Sequence, residues 1–253
     1  MSDAFDGIKA KLERSYQNVL NLESEVNRFF QESAYPVIPQ DDAKLLLQAM
    51  QYHQSRAIPL RFSVLAGEIV HHLRSVLDHI IWVFSDPSYR EERSVWIEFP
   101  ILKSRPIDKD SVKRFERKIK GISDTRVVGL ITGLQPYNST DPANSFLSLI
   151  HDMDIIDKHK ELVMCFCTPG FALSADIANL VIREYRTYHK SGIKDPVFED
   201  AFQRKLENHA KITPTISFAN FAGREFEAVV PAIMVLNNEV VRVVAEFDRF
   251  LPR

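Results

Sequence analysis

The stretch "GEIVHHLRSVLDHIIWVF", residues 67–84, decides how this chain folds. At about 100° per residue its side chains separate into two arcs. Ile69, Val70, Leu73, Val76, Leu77, Ile80 and Phe84 fill one. Arg74, Asp78, His71, Ser75, Glu68, His79 and His72 fill the other, in that angular order. The segment is therefore an amphipathic helix with one face for a core. It extends back to Leu60 without a proline and ends at "SDPSY", where Pro87 and polar turn residues stop it. Its polar arc carries no lysine, whereas a plain solvated face favours Lys and Glu at i, i+4. Three histidines, an arginine, an aspartate and a serine on one arc mark the candidate site.

Three further helices are expected around it. Residues 3–33 place Phe5, Ile8, Leu12, Val19, Leu22, Val26, Phe29 and Phe30 near helical spacing. "STDPANSFLSLIHDMDIIDKHKEL", from residue 139, opens with N-cap residues and a proline suited to a first turn and runs helical to about Lys160. The last helix covers Val229–Phe250, apolar at Val230, Ile233, Leu236, Val240, Val244 and Phe247. "DKDSVKRFERKIKGI" and "DTRVVGLITGLQPY" read as two shorter helices.

Strand character lies mainly late. "LVMCFCT" (162–168) and "ANLVIREYR" (178–186) alternate, with the intervening "PG" as a turn, and "TPTISFANF" (213–221) follows. "SVWIEFPI" (94–101) reads as a short strand or extended segment, because the residue before Pro100 is pushed out of the helical region. "AKLLLQAMQYHQSRAIP" (43–59), short and bounded by prolines, leans to strand. The expectation is one α+β domain over 1–253, a bundle of about four long helices with a small antiparallel sheet. Its helical core comes from 1–160 and 229–251, and its strands from 162–221.

Charge and composition narrow the function. With 32 basic and 34 acidic residues the net charge is −2, so no global field attracts polyanions and any phosphate-binding surface must be local. Such a surface is offered by "VKRFERKIK" (112–120), which interleaves basic residues with Phe115 and Ile119, although a solvated basic helix has the same pattern. The eight glycines form no Walker or dinucleotide loop, and there is no Gly-x-Ser-x-Gly elbow. No cofactor is expected. Cys165 and Cys167, alternating on one strand face, read as reduced structural thiols. No window approaches the roughly 18 apolar residues of a membrane span, and the first residues lack a signal-peptide core. A cytoplasmic protein with no membrane partner is expected.

On the third helix Asp157 falls inside the apolar arc of Phe146, Leu149, Ile150, Met153 and Ile156, with Asp154 at its edge. A carboxylate there needs a partner, and Arg74 is the natural one, unless Asp157 escapes to water at the helix end. Lys158 and His159 would bring more polar groups to the same place.

The string "GEIVHHLRSVLDHIIW", followed in order by "FPI", "LQPY" and "DIIDKHKEL", resembles a widespread group of bacterial proteins. They share a Gly-(Asp/Glu)-x2-His-(Asn/His)-Leu-Arg-Ser-x-Leu-Asp-His core, and the resemblance spans about residues 60–165 and implies no particular activity. Arg74 and His79 also resemble the Arg-x4-6-His signature of the HEPN superfamily, helical-bundle proteins whose active members are metal-independent ribonucleases. That resemblance implies RNA as partner, a homodimer, and a role in stress or defence. It assigns His79 as acid/base and Arg74 as phosphate clamp, with His72 or His71 assisting and Asp78 or Asp157 orienting the arginine. Such chemistry needs a group titrating near neutrality and a cation for the pentavalent phosphate.

Two other readings compete. Glu68 and His71 have the Glu-x2-His spacing of di-metal bundles but no second copy, only His151 with Asp154 as an approximation. Glu68, His72 and His79 share a face and suit a single metal ion. The remaining alternative is a non-catalytic partner-binding module whose polar helix face docks another protein.

Overall fold

The computed structural model describes residues 2–32, 58–92, 95–159, 165–171, 212–218 and 227–251. In chain order its elements are α1 Ser2–Glu32, α2 Leu60–Phe84, the one-turn α3 Pro87–Arg90, α4 Lys109–Ile119 and α5 Thr125–Gly133. A 3-10 turn Pro136–Asn138, α6 Phe146–His159, strands β1 Cys165–Phe171 and β2 Ile212–Phe218, and α7 Val229–Asp248 complete them. The described residues are mostly helical and the long helices form a bundle. Among the described residues no helix is long and apolar enough to cross a membrane.

α2 is the central rod. Ile69, Val70, Leu73, Val76, Leu77 and Ile80 are fully buried, as the two-arc reading requires. Each contributes about 1.5–3 kcal/mol relative to an exposed position. The helix ends at Ser85, whose extended backbone leaves the helical track while its N–H and hydroxyl return to the carbonyl of Ile81. α1 runs antiparallel to α2, since Lys11 meets Ser75 and His79 while Glu25 pairs with Arg61 at the other end. Phe29 packs edge-on against Phe62 across the same seam, with centroids 5.7 Å apart. α7 closes the bundle, with Phe247 against Phe84 and Phe99, and a buried hydrogen bond from Ser15 Oγ to Asn237 Oδ1 of 3.0 Å.

Several boundaries differ from the sequence expectation. The third long helix starts at Phe146 rather than near Ser139. Asp141 instead accepts from the backbone and side-chain amides of Asn144, a turn that keeps the chain off the helical track. Ser145 then takes over as the cap, its Oγ accepting from the N–H of Ser148. "PG" is not a turn either: β1 runs through Pro169 and Gly170, and β1 pairs antiparallel with β2 from Cys165↔Phe218 to Phe171↔Ile212. The opposed Pro169 and Pro214 have no N–H to donate, so that rung lacks ladder donors. "SVWIEFPI" is extended but joins no ladder over its described residues, 95–101. The strand expectations at 43–59 and 178–186 lie wholly or almost wholly outside the described residues.

Candidate functional site

The polar arc of α2 does not form one site. It is shared between two neighbours, α1 along one edge and the pair of α6 and the 95–99 segment along the other.

Arg74 faces the second edge and is 3% exposed. Its Nη2 donates to Glu98 Oε1 at 3.2 Å and to the carbonyl of Phe99 at 3.0 Å, and pairs with Asp78 Oδ1 at 3.0 Å. Asp78 Oδ1 also accepts the Phe99 N–H at 2.8 Å, so Arg74 and Asp78 together satisfy both backbone groups of Phe99. This is how the 95–99 segment, which has no strand partner among the described residues, is pinned. Burial pushes the Asp78 carboxyl above its ordinary value despite Arg74 and the Phe99 amide. Glu98 behaves oppositely. Burial pushes it up, but the hydrogen bond and charge of Lys118, with Arg74 and the Trp96 indole, outweigh burial and hold it below. His151 of α6 is half-buried beside this group, and burial first, then Arg74, lowers its pKa.

Arg74 does not bridge Asp157. The Asp157 carboxylate lies over Gly67, where a Cβ on that glycine would fall 2.7 Å from its Cγ, and its buried Oδ1 has no hydrogen-bond partner. Arg74 is seven positions further along, about 10 Å up the axis at 1.5 Å per residue, and its Nη2 is held by Asp78, Glu98 and the Phe99 carbonyl instead. Burial, then Asp154, raises the pKa of Asp157. Asp154, buried one turn earlier on α6, holds His71 Nδ1 at 3.1 Å and Lys158 Nζ at 2.7 Å. Contacts of 154 with 71 and of 157 with 67 make α6 antiparallel to α2. His159 and Glu68 are exposed, and the charge of Glu68 acts on His72 and Asp157.

The first edge holds the rest. Lys11 Nζ of α1 donates to Ser75 Oγ at 2.6 Å and to His79 Nε2 at 3.2 Å. Since the ammonium has no acceptor, His79 carries its proton on Nδ1 in this arrangement. Burial, then Lys11, lowers the His79 pKa below 6.5. His72 is lowered as well, by burial first and then by His71, with Lys11 and Arg14 adding to the effect. The neutral imidazole is thus favoured at both.

The metal alternative fails on this geometry. Among the described residues no three His, Cys, Asp or Glu side chains converge to hold a metal ion, so Glu68, His72 and His79 are not a ligand set. The space beside His79 Nε2 already contains an ammonium, which would repel a cation.

The groups that sequence reasoning missed are Lys11, Glu98 and Lys118. Glu98 had a signal, a lone carboxylate within the apolar run "VWIEFPI". Lys11 stands beside Leu12 at the border of the α1 apolar stripe, a place indistinguishable by pattern from any solvated lysine. Comparison of the chain with family models, with curated proteins and with solved structures finds no match.

Proposed function

We propose that this protein is an RNA-directed, metal-independent endoribonuclease of HEPN-like kind whose reactive group is His79 with Lys11, in place of Arg74. One observation carries the reading: a neutral-favoured imidazole, an ammonium and a hydroxyl meet at the half-buried edge between α1 and α2. Arg74 is spoken for by Asp78, Glu98 and Phe99, so the cation for phosphate must be another.

In this reading a phosphate oxygen draws Lys11 away from His79 and frees Nε2. The RNA 2′-hydroxyl gives its proton to Nε2 and its oxygen bonds the adjacent phosphorus. The bond from phosphorus to the 5′-oxygen breaks, and that oxygen leaves with a proton from Lys11. The products are a 2′,3′-cyclic phosphate and a 5′-hydroxyl end, and the imidazolium returns its proton to Lys11. Ser75 holds the lysine at rest, and His72 lends a second imidazole to the same face. A homodimer, a reducing cytoplasmic setting for Cys165 and Cys167, and a small antiparallel sheet of which the β1–β2 ladder is part belong to the same reading.

The test uses structured and single-stranded RNA with excess chelator. Cleavage is expected to survive chelation and to leave cyclic phosphate ends. Removing an acid/base group typically costs about 10²–10⁴ in rate, so His79→Ala and Lys11→Met should each lose at least about 10²-fold while melting as the wild type does. Cleavage untouched by His79→Ala, or none by the wild type, overturns the reading.

A further inference from the structure

α4 lies on the bundle with none of its residues fully buried. Between Lys109 and Lys120 the chain has six basic residues against two acidic ones, within a protein whose net charge is −2. The helix is built to stand there. Asp108 caps it by accepting from the amides of Asp110 and Ser111 at 3.0 and 2.9 Å, so it does not depend on a buried face for its start. Lys113, Arg117 and Lys120 follow one another at helical spacing on one side, with Arg114 beside them, and line a shallow groove.

At the edge of that groove stands Trp96, 40% exposed. Its indole is not loose. Nε1 donates to Glu98 Oε2 at 3.1 Å, and Glu98 is itself held by Lys118 at 2.9 Å and by the buried Arg74 at 3.2 Å. The guanidinium of Arg117 stacks 4.1 Å from the ring centroid. Lys113 and Arg117 have no carboxylate partner among the described residues, whereas Lys120 pairs with the exposed Glu92 at 3.5 Å and Asp110 and Glu116 share the groove's lining, so four cations face two carboxylates there. A fixed aromatic plane beside a row of cations is the arrangement that single-stranded nucleic acid uses, bases stacking while phosphates track the charge. An acidic peptide would use the cations but has no need of an oriented ring.

We propose that α4 and Trp96 form a docking surface for single-stranded nucleic acid, the phosphates lying along Lys113, Arg114, Arg117 and Lys120 and one base stacking at Trp96. From Lys113 to Lys120 the helix rises about 10 Å, so an extended single strand laid along it passes these cations with about two or three consecutive phosphates. The surface is separate from His79, and it rests on the RNA-directed reading only for the choice of polymer.

The experiment uses the full chain and a dye-labelled 12-nucleotide 2′-O-methyl oligouridylate, which has no 2′-hydroxyl to cleave. About three neutralised phosphates predict that log K falls with log salt at a slope near −2, at ~0.7 per phosphate on a single strand. Lys113→Ala with Arg114→Ala should flatten it by about 1.4, and Trp96→Ala should weaken binding about tenfold through lost stacking. The chain has two tryptophans. In Trp82→Phe protein the remaining emission is therefore that of Trp96, and it should be quenched on binding. Binding indifferent to the double substitution, unchanged Trp96 emission, or equal competition by polyglutamate overturns the proposal. Binding with these signatures but no cleavage of ordinary RNA would remove the nuclease reading and leave the docking surface standing.

Discussion

Replacing Arg74 separates a structural arginine from a phosphate clamp. Its Nη2 serves Asp78, Glu98 and the Phe99 carbonyl in one place. Hydrogen bonds to charged groups are each worth about 1.5–3 kcal/mol, and breaking a buried pair costs about 3–5 kcal/mol. Both carboxylates reach water, with side chains 28% and 30% exposed, so they rehydrate partly when the cation goes and the lower end of that range applies. Nη1 is buried without a partner, and removing it returns about 1 kcal/mol of desolvation. For Arg74→Met, which keeps an apolar stem, the net loss is about 2–3 kcal/mol. In a chain of this size that lowers Tm by about 4–12 °C. Arg74→Ala also leaves a cavity between α2 and the 95–99 segment and should be worse by about 1 kcal/mol or more.

Urea titration and thermal melts, both followed by circular dichroism, read these differences directly. RNA cleavage measured well below each variant's melting point reads the other half. The expected pattern is lower stability with cleavage by the folded fraction kept. Stability within about 0.5 kcal/mol of wild type together with abolished cleavage would refute the structural assignment and return Arg74 to the reacting phosphate.

The remaining predictions concern the α2–α6 seam and the imidazole. Gly67→Ala places a methyl on the Asp157 carboxylate and should cost about 1–3 kcal/mol by denaturant titration, as overpacking does; adding Asp157→Ala should recover much of it. Asp157 has its pKa raised by burial and by Asp154, so its stabilising contribution is full below the unfolded value near 3.8 and is lost as pH rises through the folded value. Asp157→Asn should accordingly melt above the wild type at pH 7, with the gain shrinking toward pH 4; a loss at pH 7 would mean the carboxylate has a stabilising partner. If His79 is the base, its lowered pKa holds cleavage constant through neutrality and lets it fall only as pH drops below 6.5; a half-point above 6.5 contradicts the assignment.

Much of the fold was legible because burial repeats. Ile69, Leu73, Val76, Leu77 and Ile80 recur at the helical period and all are buried, and α1 and α7 follow the same rule. The start of α6 was not legible, because Ser139, Asp141 and Ser145 are all good caps by type. Only the actual turn at Asp141 and Asn144 tells that the third is used. The Pro169–Gly170 pair was misread for a related reason: its turn preference is local, and the pairing of β1 with β2 that overrides it is not.

The candidate site shows where a helical wheel stops being informative. It ranks the polar residues of α2 by angle, and it ranks them well. What it lacks is the identity of the surface each angle meets. Arg74 and His79 are five positions apart, a rotation of about 140°, so on a straight helix they point to different neighbours. Here those neighbours are the 95–99 segment and α1. On this helix the spacing of four intervening residues therefore does not bring Arg74 and His79 to one phosphate within the chain. Either a cation reaches the imidazole from another element, or a second copy supplies it. Lys11 meets the first condition within this chain, 3.2 Å from Nε2. The cation beside His79 is thus set by how α1 packs on α2, a property that the residues of α2 alone do not contain.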